Sequence, residues 1–242
     1  MVAGRFFSIV IPTYEMHNMG LDFLRYSFEI FFGQTFKDFE IVISDHSKDD
    51  KIETLCKEWS DRLDIIYLRN TLNYGNSSAN VNNAISHASG KWVKILFQDD
   101  YLASYHSLME IYKHIEIYNP RWIATGCEHS ADGINYYRPF FPKWNKQIVY
   151  GKNTISSPSV IAFQNNKDGI LFDENLLWLM DVEFYWRKYK KYGKPYFINS
   201  INVVNRTWGN RLSDTISKDR KDGEFQIIKK RHHLRWWSII GN

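Results

Sequence analysis

The sequence predicts an α/β domain with a doubly wound, mostly parallel central sheet flanked by helices, and a short C-terminal helical tail. Three observations carry that expectation. Short apolar runs alternate with segments of helical period through the first hundred or so residues. Polar clusters fall where those runs end. The second half is less regular and closes on a basic segment.

The elements follow in order. Phe6 to Ile11 is a short apolar run halted by Pro12, the pattern of a buried parallel strand. Leu21 to Phe32 places Leu21, Leu24, Phe28 and Phe31 at helical spacing, with Gly33 as a C-cap. Phe39 to Ser44 reads as the second strand. Asp50 with Glu53 three residues on reads as a capping box for a helix carrying Ile52, Leu55, Cys56 and Trp59. Leu63 to Arg69 is a third strand, and Ser77 or Ser78 caps a helix running through Ala88. Trp92 to Phe97 is a fourth strand leading into Asp99 and Asp100, and Ser104 to Tyr118 is helical up to Pro120. Repeated β-α units of this kind imply a parallel sheet. Further on, Arg121 to Cys127, Ser159 to Gln164 and Phe197 to Val204 read as strands, and Leu176 to Tyr192 as an aromatic-rich helix ended by Gly193.

Composition narrows the function classes. Hydrophobic residues make up 44% and charged residues 24% of the 242 residues, as in ordinary globular domains. The aromatic share of 17% is high, which suits both a core and a site that holds flat rings or sugar faces. The net charge of +4 equals the surplus of basic over acidic residues between Lys218 and Arg235 alone. The body is therefore near neutral, which argues against a nucleic-acid partner. Cys56 and Cys127 show neither metal-ligand spacing nor a disulfide pattern, so a reducing, cytoplasmic setting is the simpler expectation. No segment offers the roughly 20 apolar residues of a membrane-spanning helix.

Ligands of open α/β sheets bind beyond the carboxyl ends of the strands. Three polar clusters sit there: Pro12-Thr13-Tyr14, Asp45, and Asp99-Asp100. Adjacent carboxylates after Ile95-Leu96-Phe97 fit a hard divalent cation, Mn²⁺ or Mg²⁺, bridging to a diphosphate. The plainer alternative has Asp100 capping the next helix. Asp45 either accepts a hydrogen bond from a nucleobase or serves as a turn residue. The loop from Leu72 to Asn80 leads into a helix start that can face a phosphate, but it carries neither a dinucleotide nor a P-loop pattern. Asp181 lies among Leu176, Leu177, Trp178, Leu179 and Met180, where desolvation raises a carboxyl pKa and suits a general base. The alternative is a salt-bridged or capping acid.

The order of these pieces resembles family 2 glycosyltransferases of the GT-A fold, bacterial polysaccharide and lipopolysaccharide type. The residues that carry the resemblance are Ser8 to Tyr14, Gln34 to Asp45, Asn73-Tyr74-Gly75, Ala88 to Lys94, and Phe97 to Leu102. It is strong to about Leu102 and patchier to about Ser213. It implies a domain over residues 1–217, with 1–102 the nucleotide-sugar-binding half and 103–217 the acceptor half, followed by a basic aromatic tail at 218–242.

The resemblance further implies an inverting, metal-dependent hexosyl transfer from a UDP-, GDP- or dTDP-linked sugar to a glycan or lipid-linked acceptor. Thr13 and Asp45 correspond to nucleotide contacts, with Pro12, Tyr14, Asn73, Gly75, Gln98, Asp99 and Arg206 completing the donor site. Asp99, with Asp100 beside it, corresponds to the metal end of the family's DxD motif. Asp181 corresponds to the acceptor-activating acid, and Glu183 and Trp208 stand on the acceptor side. Arg206 to Ser213 resembles a late basic loop over the diphosphate. Three departures stand out: Phe97 replaces the first acid of DxD, Met180 replaces the Glu of the Glu-Asp pair, and Trp208 stands where many relatives have His.

The tail from Lys229 to Ile240 mixes cations with Trp and Ile, which suits either an anionic membrane surface or a helix packing Trp236 and Trp237 on the body. Two rival readings stand beside this one. A nucleotidyltransferase would need a glycine-rich, Arg-containing signature after the first strand, which is missing. A nucleotide- or sugar-binding module without turnover would follow if Phe97 and Met180 marked a decayed site.

Overall fold

The computed structural model describes residues 4–209 and 216–233. Four strands form a parallel half-sheet: β1 (Phe7–Thr13), β2 (Phe39–Asp45), β3 (Ile65–Arg69) and β4 (Trp92–Ile95), in the order β3-β2-β1-β4. Every residue of β1 and β2 is buried, as expected of strands covered on both faces. Between them run α1 (Gly20–Gly33), α2 (Lys51–Trp59) and α3 (Ser77–His87). The helix α1 turns Phe23, Leu24, Phe28 and Phe31 inward.

Beyond β4 the sheet becomes mixed. Strand β8 (Ile161–Gln164) joins β4 antiparallel, β6 (Trp122–Ser130) joins β8 antiparallel, and β9 (Tyr196–Arg206) runs parallel to β6. Two short pieces escaped the sequence reading: β5 (Tyr101–Leu102), paired with β9, and β7 (Tyr136–Phe140), paired with β6. The remaining helices are α4 (Ser107–Tyr118), α5 (Met180–Tyr192) and α6 (Lys218–Arg231). Among the described residues one α/β sheet of nine strands thus runs through the molecule, as the resemblance to the GT-A fold implies.

Register sets the strand ends level. Thr13 pairs with Asp45, and Asp45 with Arg69. At the opposite edge Ser8 donates its hydroxyl to buried Glu40, which also accepts from the Ser89 N–H at 2.7 Å and the Ser89 hydroxyl at 2.8 Å. Gly90 donates its N–H to Ser8 Oγ at 2.8 Å, an approach that leaves no room for a Cβ.

Several local expectations change. Asp50 precedes α2 but makes no cap bond; its carboxylate meets Arg69 at 2.7 Å, and Glu53 pairs with Lys57 and Arg69. The capping box is undone by a cation from β3. Asn76, not Ser77 or Ser78, caps α3 by accepting from the Ala79 N–H at 3.0 Å. Strand β4 stops at Ile95, and α5 begins at Met180 instead of Leu176. Helix α6 packs on the body through buried Glu224 and Ile228, while Trp236 and Trp237 lie outside the described residues. Among the described residues no helix is long and apolar enough to cross a membrane.

Candidate active site

Beyond the carboxyl ends of the strands opens a cleft of about 450 Å³. Pro12 and Tyr14 from the end of β1, Gly75 and Ser77 at the start of α3, and Gln98, Asp99 and Asp100 after β4 line it. Asp181 from the first turn of α5 and Arg206 and Trp208 from the end of β9 complete the set. The topology brings these distant segments together at the place where such sheets bind ligands.

The floor is built by amides. The Tyr14 N–H donates to Gln98 Oε1 at 2.9 Å, and Gln98 Nε2 donates to the Gly20 carbonyl at 2.8 Å. Gln98 thereby ties the end of β1 to α1. Asn80 Nδ2 donates to the Thr13 carbonyl at 3.1 Å. Thr13 and Asp45 lie beneath this floor, both fully buried. The Asp45 carboxylate accepts from Thr13 Oγ1 at 3.2 Å, the Ser47 N–H at 2.8 Å and the Tyr67 hydroxyl at 2.8 Å. Burial first, and Asp45 next, hold the Tyr67 phenol well above its usual range.

On one wall the rings of His46 and Tyr74 lie 5.6 Å apart at 32°. Burial keeps His46 below its ordinary pKa, hence neutral near pH 7. Asn73 turns out of the cleft, and its amide donates to Glu174 at 2.9 Å.

The acid pair divides. Asp99 accepts from the Trp208 indole N–H at 3.0 Å, and its carbonyl accepts from Arg206 Nε at 3.3 Å. Asp100 turns inward, where its carboxyl meets the Arg206 N–H at 3.2 Å and the Ser157 hydroxyl at 3.3 Å. It caps no helix, since His106 precedes α4. Burial, then the Asp99 charge, push Asp100 well above the usual carboxylate range. Behind it Lys94 is fully buried and donates to the Ile95 and Ser159 carbonyls; burial brings its pKa down to about 7. Arg206 is framed by Phe23, Tyr26 and Tyr101, with ring centroids 4.6, 5.4 and 4.9 Å from the guanidinium carbon.

No group of three or more His, Cys, Asp or Glu side chains suited to a metal occurs among the described residues. Asp99 lines the cleft with Asp100 beside it, the latter turned inward. That donor set fits a hard cation completed by substrate phosphates, because Mg²⁺ is often bound by one or two carboxylates together with phosphate oxygens.

Asp181 stands in the first turn of α5, where a negative charge is favoured by the helix dipole. Its Oδ1 accepts from the Val182 N–H at 2.7 Å and its Oδ2 from Asn153 Nδ2 at 2.6 Å. Burial outweighs these bonds and raises its pKa to about 7. Glu183 points the other way. It is fully buried against Arg187, Arg231 and His232, whose contacts hold its pKa down to about 2 against the opposing effect of burial. An acceptor does not meet Glu183 there. Trp208 does line the cleft, edge-on to Phe23 with centroids 5.7 Å apart. Of the late loop, residues 210–213 lie outside the described residues.

Sequence reasoning missed Asn153, His46, His129, Ser157 and Asn205. The last four line the cleft, and Asn153 aims the Asp181 carboxylate. Only His46, next to Asp45 at a strand end, carried a local signal.

A family model described as glycosyl transferase family 2 matches residues 8–171. A glycosyltransferase of Methanocaldococcus jannaschii is 27% identical over 191 residues, 74% of this chain and 63% of the relative. The chain thus spans less than two thirds of that relative's length. Among solved structures, residues 1–349 of S. aureus TarS in complex with UDP-GlcNAc superpose with a TM-score of 0.73 at 16% identity, covering 95% of this chain and 68% of that one. A mannosyltransferase from Pyrobaculum calidifontis in complex with GDP-Man and Mn²⁺ has a TM-score of 0.60 at 14% identity, covering 84% and 57%. These two structural likenesses are likenesses of fold. The family match spans well over half of the chain and takes in the β1 end, Asp45 and the Asp99-Asp100 pair, so the chain belongs to glycosyl transferase family 2.

Proposed function

We propose that the chain transfers a hexosyl group from a nucleotide-sugar donor to a hydroxyl of a glycan or lipid-linked acceptor, with inversion. The observation that carries this reading is Asp181, a carboxyl with a pKa raised to about 7, lining the same cleft as Asp99. A base poised near neutral pH at one end and a charge-bearing site at the other suit one displacement at an anomeric carbon. The structural relatives that bind UDP-GlcNAc and GDP-Man support a UDP- or GDP-linked donor; a dTDP-linked one stays within the same chemistry.

In this reading residues 1–102 form the donor half, joined by Arg206, and residues 103–217 otherwise form the acceptor half. Tyr14, His46 and Tyr74 wall the nucleotide, with Pro12 and Gly75 shaping the entrance. Thr13, Asp45 and Gln98 hold that wall from below. Arg206, stacked among three rings, meets the diphosphate with little side-chain entropy left to lose. Mn²⁺ or Mg²⁺ held at Asp99, with Asp100 beside it, would neutralise charge on the departing diphosphate. Asp181 accepts the proton of the acceptor hydroxyl as its oxygen attacks. The new bond to the anomeric carbon forms while the bond to the phosphate oxygen breaks, so the configuration inverts without a covalent enzyme intermediate. Trp208 offers an aromatic edge to the acceptor. Cys56 and Cys127, free and buried, suit a cytoplasmic setting, and the basic, aromatic sequence from Lys229 to Ile240 suits a peripheral membrane contact with a lipid-linked acceptor.

A donor screen tests the proposal. UDP-, GDP- and dTDP-sugars are incubated with the protein and Mn²⁺ or Mg²⁺, and nucleoside diphosphate release is measured, then repeated with EDTA and with Asp99→Ala. Release from one donor, lost in both controls, is expected. Release that survives both would sink the metal assignment, and none from any donor, with or without glycan acceptors, would sink the transfer reading.

A further inference from the structure

We infer that Glu224, on the C-terminal helix, is a positioning residue for Asp181: it caps the base-bearing helix from outside and shares that helix's positive end with the base. The inference rests on the proposed role of Asp181.

Helix α5 starts without a cap of its own. Leu179 occupies the N-cap position and has no side-chain acceptor. Backbone N–H groups at a helix start need partners when water is kept away. Glu224 supplies them for the turn that leads into α5. The N–H groups of Leu177, Trp178 and Leu179 donate to its carboxylate at 2.9, 2.8 and 3.0 Å. The Glu224 residue is only 1% exposed, so these bonds are not shared with bulk water. Arg220, one turn earlier on α6, donates to Glu224 Oε1 at 2.7 Å and to the Asn175 carbonyl at 3.0 Å. Farther along α6, Arg231 reaches both Asp173 and Glu183. The segment 173–183 is therefore gripped from one side by α6, while Leu177, Trp178, Met180 and Asp181 line the cleft on the other.

Two carboxylates consequently use one helix end. Glu224 takes the three N–H groups ahead of α5, and Asp181 accepts the Val182 N–H inside its first turn. A negative charge already seated there weakens the field that would favour ionised Asp181. Burial raises the Asp181 pKa most, and the Glu224 charge acts in the same direction. Glu224 thus does two things: it holds Asp181 in place and keeps it basic. Arg220 offsets the second effect by neutralising part of the Glu224 charge.

The test compares kcat and donor KM as functions of pH for wild type, Glu224→Gln, Arg220→Gln and the exposed control Asp219→Asn, with amide hydrogen exchange read at residues 177–179. For Glu224→Gln the acidic limb of kcat is expected to move to lower pH. Its kcat falls on the order of tenfold from lost alignment, donor KM stays within about twofold, and the three amides exchange faster. Arg220→Gln moves the limb the opposite way, and Asp219→Asn moves nothing. A limb that stays put in Glu224→Gln, or that moves in the same direction in both variants, overturns the inference. If Glu224→Gln does not fold, the direction of the Arg220→Gln shift decides. If wild type turns over no donor, the transfer reading falls by itself, and unchanged exchange at 177–179 in Glu224→Gln then removes Glu224 as the cap.

Discussion

Replacing Asp181 with Asn separates catalysis from stability in a single residue. Removing a general base lowers kcat about 10²- to 10⁴-fold. The wild-type carboxyl has its pKa at about 7, so activity should climb about tenfold per pH unit below that value and level off above it. The variant should keep no such limb. Stability should move oppositely. The folded pKa is raised above the unfolded value of about 3.9, so ionised Asp181 opposes folding. The penalty is absent below about pH 4, grows as the pH rises, and is complete above about pH 7, where it amounts to on the order of 4 kcal/mol. Asn escapes it but loses a bond. Asn153 cannot flip, because its Oδ1 accepts from the Ile155 and Ser156 N–H groups at 2.9 Å each. The new amide therefore turns its oxygen to Asn153 and its NH₂ to the Val182 N–H, at a cost of about 1–2 kcal/mol. A net gain of roughly 2 kcal/mol corresponds to a Tm about 4–8 °C higher at pH 8, shrinking to nothing or reversing at pH 4. Nucleoside diphosphate release and thermal melting across pH 4–9 measure both effects. Turnover within threefold of wild type, or a Tm difference that ignores pH, would refute the reasoning.

Three further outcomes follow from neighbouring geometry. Arg206→Lys keeps the charge but loses the flat stacking among Phe23, Tyr26 and Tyr101, so donor KM should rise about tenfold while the fold is retained by circular dichroism. Gly90→Ala would place a Cβ 2.6 Å from the Ser8 N and 2.7 Å from the Phe7 carbonyl carbon; with β1 backbone in the way, a loss of about 2–4 kcal/mol in denaturant melts is expected. Cys56 and Cys127 are buried, and burial pushes the Cys56 thiol up to about 12. Native protein should therefore not react with Ellman's reagent, while unfolded protein should titrate two thiols.

What the sequence carried, and what it did not, divides by the range of the interactions. The strands β1 and β2 were legible because all their residues are buried in a covered parallel sheet, so apolar runs speak for themselves. Asp99 and Asp100 were legible as a pair at a strand end. Their opposite fates were not, because these depend on Trp208 and on the Arg206 N–H, more than 100 residues later. Asp50 and Glu53 have capping-box spacing, yet Arg69 from the adjacent strand draws both carboxylates aside. Met180 takes the place of an acid in the family pattern, and its sulfur accepts from Ser77 Oγ at 3.4 Å, packing where a second charge would need solvation. Glu183 shared the first turn of α5 with Asp181, but only the fold shows that it faces α6 and its cations.

The contrast between Asp45 and Asp181 gives the general reason. Both are acids at the ligand-binding end of the fold, Asp45 fully buried and Asp181 lining the cleft. Asp45 meets three donors, two of them side chains 32 and 22 positions away, which hold it in place. At Asp181 burial prevails over the bonds from Val182 and Asn153. The partners that hold each acid come from neighbours that only the folded chain assembles. The same reasoning gives Asp45→Asn a different signature from Asp181→Asn. An amide cannot satisfy three donors, so Asp45→Asn should lose about 2–3 kcal/mol of stability. It should also keep the acidic limb of kcat near pH 7. Loss of that limb in Asp45→Asn would show that the two acids had been assigned the wrong way round.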